Sequence, residues 1–210
     1  WTGRNLIAAK LPREARLIRG WTQDPYSMMA GLDKSFHAAL MIGYHSRAAS
    51  DSSPLAHTLT GRVVHLKIND RYAAEFLINA YTAGWLRVPV VFLSGDAGIC
   101  EDARAFLPDL TSVAVMEGLG EATNSIHPTL AIERIRSRVE IALKGDITRC
   151  LVPMPAHFLV EVNYRVHSQA RQASFFPNAR LIEPHIVQFE ADDYFEVLRF
   201  FMFGISMTGG

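Results

Sequence analysis

The sequence predicts an α/β fold: a three-layer domain with a mostly parallel sheet, followed by a smaller C-terminal α+β lobe. Two kinds of segment carry that prediction. Ala38 to Ile42 and Val88 to Leu93 are unbroken apolar runs, closed by Gly43-Tyr44-His45 and Ser94-Gly95-Asp96, and a strand buried on both faces reads this way. The second run leads directly into an Ala-rich helical stretch ending near Phe106. Such a β-loop-α step requires helices on the faces of the sheet. After Gly145 the segments alternate instead, so residues 1–150 are assigned to the α/β domain and 151–210 to the lobe. Pro153-Met154-Pro155 connects them, since neither proline continues a helix.

In chain order, Asn5 to Ala9 is a loop or a single helical turn, and Ala15 to Gly20 reads as a short strand. Asp24-Pro25 starts a helical turn lined by Tyr26, Met28 and Met29, which read as core filling. Arg62 to Ile68 alternates as a strand, with Val63, His65 and Lys67 on one face and Val64, Leu66 and Ile68 on the other. Asn69-Asp70 then makes a turn or N-cap, and Tyr72 to Ala83 has helical spacing that Gly84 ends. Thr111 to Met116 is a further strand. Pro128 to Leu143 is the strongest helix, with Leu130, Ile132, Ile135, Val139 and Leu143 on or near one face. In the lobe, Phe158 to Tyr164 and Pro184 to Glu190 alternate as strands, and helices follow at Ser168 to Phe176 and Asp192 to Met207.

Composition narrows the function. Twenty-one basic residues balance twenty-one acidic ones, so no long-range field favours nucleic acid or an anionic membrane. No apolar run is long enough to span a bilayer. Cys100 and Cys150 are isolated, which fits a reducing cytoplasm better than a disulfide framework. No Gly-x-Ser-x-Gly elbow or Walker pattern occurs, which disfavours a serine hydrolase or an NTPase. Gly118-Leu119-Gly120-Glu121-Ala122-Thr123 partly matches a dinucleotide fingerprint but has Thr at its last position, and no cofactor site is assigned to it.

The chemistry concentrates between Ala38 and Glu75. His45 follows a strand at the end where open α/β sheets hold ligands. His57 lies twelve residues on in a polar loop, and Glu75 opens a helix after the next strand. Two imidazoles and a carboxylate are suitable zinc ligands. His37, His65 and His127 read instead as local hydrogen-bonding or capping residues; His157, His167 and His185 have no recognised partner.

Gly43-Tyr44-His45-Ser46-Arg47-Ala48, the Ala56-His57 pair, and Ile68-Asn69-Asp70-Arg71 with Glu75 and Asn79-Ala80-Tyr81 resemble the zinc-dependent D-aminopeptidase family of bacterial dipeptide-transport operons. The likeness runs from Trp1 to about Thr208. It implies that His45 and Glu75 are zinc ligands, that His57 is the catalytic residue, and that the complete protein holds two Zn2+ per subunit. The implied reaction is removal of the N-terminal residue from short peptides, D-Ala peptides above all, by a zinc-activated water. His57 would act as base or as nucleophile. The family's Asp-x-Glu strand and Asn-Asp-x-His turn have no counterpart in this sequence. Trp1 to Leu6 resembles the segment following that turn, so the expectation is an incomplete chain that cannot hold the two-zinc site alone. A catalytically inactive assembly or peptide-binding protein of the same fold is the alternative. It is kept open by those absences, by the spacing of His45 and His57, and by Met116 where the family often has Lys. The family also implies a ring-shaped homo-oligomer. A C-terminal helix carrying Phe195, Phe200, Phe201, Met202 and Phe203 has more large side chains than one core-facing stripe needs.

Overall fold

The computed structural model describes residues 5–206. Two sheets share a continuous apolar core. The first has the order β1 (Ala39–Tyr44), β4 (Val90–Asp96), β5 (Thr111–Leu119), β6 (Ala122–Ser125). Its first three strands run parallel and β6 returns antiparallel. Every residue of β4 is buried, the polar Ser94 and Asp96 at its carboxyl end as well as the apolar run before them. Helices α1 (Glu75–Trp85), α2 (Ala97–Phe106) and α3 (Pro128–Lys144) pack on this sheet, α2 and α3 each crossing β4 and β5. Strand β1 is parallel as expected but only half covered. Met41 is buried beneath the sheet's helices, whereas Ile42 on the other face is 56% exposed. Helix α3 covers the inner strands and stops short of this edge.

The second sheet is antiparallel, with the order β3 (Arg71–Tyr72), β2 (Val63–Ile68), β7 (Phe158–Tyr164), β9 (Ile186–Ala191), β8 (Ala179–Glu183). It therefore draws strands from both sides of position 150. Helices α4 (His167–Ala173) and α5 (Tyr194–Phe200) complete the chain, the latter continuing as a π-helix over Phe201–Ser206. Asn69 and Asp70 form the two-residue turn between β2 and β3, both with positive φ (48° and 64°), the backbone that a tight hairpin demands.

Several expectations are corrected. Ala15 to Gly20 forms no strand: Leu17 and Ile18 are exposed and nothing pairs with the segment in a sheet. Strand β2 carries a register shift between Val63 and His65, so Val63 is buried and Val64 exposed, reversing the alternation there. Strand β8 interrupts the expected strand-helix-strand-helix order; Leu181-Ile182 lacks alternation because both residues lie on an exposed edge. The C-terminal aromatics largely fill the chain's own core. Phe200 stacks on Phe189 with centroids 4.6 Å apart, Phe195 stacks on Trp85 at 5.8 Å, and Phe203 alone of that group is an exposed large side chain, at 46%. Trp1 to Arg4 and Met207 to Thr208 lie outside the described residues.

Candidate metal centre

The site forms where β1 ends. Gly43 has φ 76° and its N–H donates to Ser94 Oγ (3.2 Å), turning the chain out of the sheet. On the neighbouring strand a side chain at Gly95 would place its Cβ 2.2 Å from the Tyr44 carbonyl oxygen, so only glycine lets the backbones approach this closely. The next turn is gripped by Asp96, which is 1% exposed. Its carboxylate accepts from the Ser46 N–H (2.6 Å), the Ser46 hydroxyl (2.5 Å) and the Ile99 N–H (2.8 Å), the last as N-cap of α2. Those donors and the helix dipole make a buried carboxylate tolerable.

His45 leaves this turn with Nδ1 2.9 Å from the Ser46 carbonyl oxygen. His57 has Nδ1 2.7 Å from the Leu55 carbonyl oxygen. A carbonyl only accepts, so each Nδ1 carries a proton, and in the neutral ring each Nε2 then presents a lone pair. Both lone pairs face Glu75, which is 5% exposed: His45 Nε2 stands 3.9 Å from Oε2 and His57 Nε2 3.7 Å from Oε1. The imidazoles stack with centroids 4.4 Å apart, and one ligand atom from each of the three residues lies within 4.8 Å of the others.

Thr58, fully buried, ties the segments together. Its hydroxyl donates to the Ala73 carbonyl oxygen (2.8 Å) just before α1 and accepts from the Ala48 N–H (3.1 Å) just after His45. Leu59 follows in the left-handed region (φ 63°), enclosed by a bond from Thr60 N–H to the Thr58 carbonyl (2.7 Å). A γ-turn of this hand is strained by about 1–3 kcal/mol. It aims the Leu59 N–H at Glu75 Oε1 (3.0 Å). The polar loop is anchored further by Gly118, whose N–H donates to the Ser52 carbonyl oxygen (2.9 Å); a Cβ there would meet the Ser52-Ser53 backbone at 2.8 Å. The fingerprint-like stretch is thus the β5–β6 hairpin and a loop anchor, without the strand-to-helix context of a dinucleotide site. One turn beyond Glu75, the Asn79 side-chain amide donates to the Tyr44 hydroxyl (2.7 Å). Burial pushes that phenol up to about 12.

This donor set suits zinc. Ligand atoms bound at roughly 2.0–2.2 Å to one ion stand no more than about 4 Å apart, matching the two imidazole–carboxylate separations. Other histidines are engaged elsewhere. His127 caps α3 by accepting from the Thr129 N–H (3.2 Å), the local role expected of it, whereas His65 lies 3.4 Å from Glu161 on the neighbouring strand β7, a contact across the sheet. Asp96, Thr58 and Leu59 were not singled out by sequence reasoning. An Asp closing an apolar strand was the available signal for the first; nothing local marked the other two.

An α/β sheet with a zinc-competent cluster at a strand's carboxyl end fits a metal-dependent hydrolase, and comparison with known proteins narrows the class to a peptidase. The family profile for D-aminopeptidases matches residues 1–203, and the chain belongs to that peptidase family. It is 34% identical over 195 residues to the D-aminopeptidase of Bacillus subtilis, covering 91% of this chain and 70% of that protein. Among solved structures it is similar to the zinc-dependent D-aminopeptidase DppA from Bacillus subtilis, a self-compartmentalizing protease. The TM-score is 0.89 at 30% identity, over 99% of this chain and 76% of the other.

Proposed function

We propose that this chain removes the N-terminal residue from short peptides, D-alanyl peptides among them, with His45 and Glu75 holding zinc and His57 as the catalytic residue. The observation that carries this reading is the convergence of ligand atoms from His45, His57 and the buried Glu75 within 4.8 Å of one another. When bound, zinc supplies Lewis acidity and lowers the pKa of an adjacent water. The chain's own residues do the rest. Glu75 offers its carboxylate from a rigid helix, and the Leu59 N–H fixes its rotamer. His45 is held by the Asp96-anchored turn. The more exposed His57 keeps Nδ1–H on the Leu55 carbonyl and so retains a free Nε2 to take the proton of the attacking water.

The test is hydrolysis of D-alanyl and L-alanyl peptides by the zinc-loaded protein, with metal quantified in the same sample. Zinc bound without turnover would favour the peptide-binding alternative. Rapid-quench trapping of an acylated imidazole would replace His57 as base by His57 as nucleophile. The reading includes a homo-oligomer, expected as a closed ring, supported by the self-compartmentalizing relative and checked by sedimentation. It also places the enzyme in the cytoplasm, which suits two buried free thiols, Cys100 and Cys150. Burial raises both, Cys100 to about 11. Among the described residues no helix is long and apolar enough to cross a membrane.

A further inference from the structure

A mainly apolar cavity of about 110 Å³ lies beside the metal centre, walled by Leu59, Ile78, Leu198, Phe201, Met202 and Met28. His45, His57 and Glu75 do not line it, but two of its walls are neighbours of Glu75. Leu59 donates its N–H to Glu75 Oε1, and Ile78 sits three residues along α1 from Glu75, on the same side of the helix. The strained turn at Leu59 therefore fixes a ligand carboxylate with its backbone while its side chain lines the cavity. The outer wall is the 20–28 segment, where Gly20, Gln23 and Ser27 have positive φ (102°, 58° and 52°). This wall is seated by Tyr26, which packs on Trp85 (6.1 Å) and Phe195 (5.7 Å). Of the residues expected to fill core here, Met29 does so, whereas Met28 faces the cavity.

We propose that this cavity receives an apolar side chain on the N-terminal residue of the substrate peptide, an inference that rests on the aminopeptidase reading above. In an N-terminal residue the free amino group and the scissile carbonyl share one Cα. Bringing both to the cluster holds that Cα beside it, and the side chain must enter adjoining space. The volume sets the class. It is smaller than the roughly 150 Å³ cavity that accepts benzene, so Val, Leu or Met side chains fit and an indole does not. An Ala methyl leaves most of the apolar wall uncovered.

The experiment measures kcat/KM of the zinc-loaded protein on peptides beginning with D-Ala, D-Leu or D-Trp, then repeats it with Met202→Phe and Met28→Phe, which fill the cavity from opposite walls. The expected order is D-Leu above D-Ala and D-Ala above D-Trp, and each filling variant that folds should lower the D-Leu to D-Ala ratio at least about tenfold. A ratio unchanged by both variants, or D-Trp cleaved as well as D-Leu, overturns the proposal. Should no peptide be cleaved, the aminopeptidase reading fails separately. Quenching of Trp21, which borders the cavity, then decides the pocket: D-leucinamide binding at least about tenfold tighter than D-alaninamide, with the difference lost in the filling variants, supports it. Equal binding of the two amides overturns it.

Discussion

Histidines and carboxylates meet at several places among the described residues, and the contrast between two of them shows what marks one as a candidate metal centre. On the antiparallel sheet His157 places Nδ1 2.7 Å from Asp192 and Nε2 3.8 Å from Glu190, and Glu190 is itself paired with Arg180. All four side chains are exposed. That group is closed, because each charge has a partner and solvent screens the rest. At the end of β1 the order is inverted. Both Nδ1 atoms are spent on backbone carbonyls, both Nε2 atoms are kept for a buried carboxylate, and the separations of 3.7 and 3.9 Å exceed hydrogen-bonding distance. Proximity of titratable groups is common to both places. Of these two, backbone-fixed tautomers around a buried carboxylate belong to the end of β1.

The sharpest way to break the contrast is Glu75→Ala. It should strip zinc and reduce kcat/KM by more than the ~10²–10⁴-fold that a general base supplies; zinc retained after dialysis would remove Glu75 from the ligand set. His57→Ala should cost about 10²–10⁴-fold in kcat while most zinc stays bound, and metal loss equal to that of Glu75→Ala would make His57 a ligand instead. Asp96→Asn touches no ligand atom, yet it weakens the grip on Ser46 and should lower zinc affinity by about 10–100-fold, as changes behind a metal ligand do. Competition with a chelator of known affinity measures this. At the exposed group, His157→Ala should change stability by no more than about 1 kcal/mol and leave zinc content unaltered; a larger loss on denaturant unfolding would show that solvent does not screen it.

Much of this contrast was legible in the residues. The apolar runs at Ala38 to Ile42 and Val88 to Leu93 identified parallel strands, and the position of His45 after the first put it at the correct end of the sheet. Glu75 was legible as a first-turn residue of a helix. What could not be read was long-range. That β2 pairs with β7, nearly a hundred residues away, follows from tertiary packing and not from either strand's pattern. Thr58 resembles any loop threonine until Ala48 and Ala73 are brought to its hydroxyl. The half-bare edge of β1 was equally hidden, because an apolar run looks the same whether one face or both are covered.

The double duty of Asp96 bears on how the site opens. One carboxylate caps α2 and grips the turn that carries His45, so the turn cannot come loose without uncapping a core helix. Amide exchange at Ser46 should then proceed only through the near-global opening that frees α2, with or without metal. The chain before His57 differs, since Pro54 and Leu55 are solvent-exposed, and its amides should exchange through local fluctuations and slow down when zinc is added. Half of the centre would thus be inherited from the folding core and half recruited by the ion.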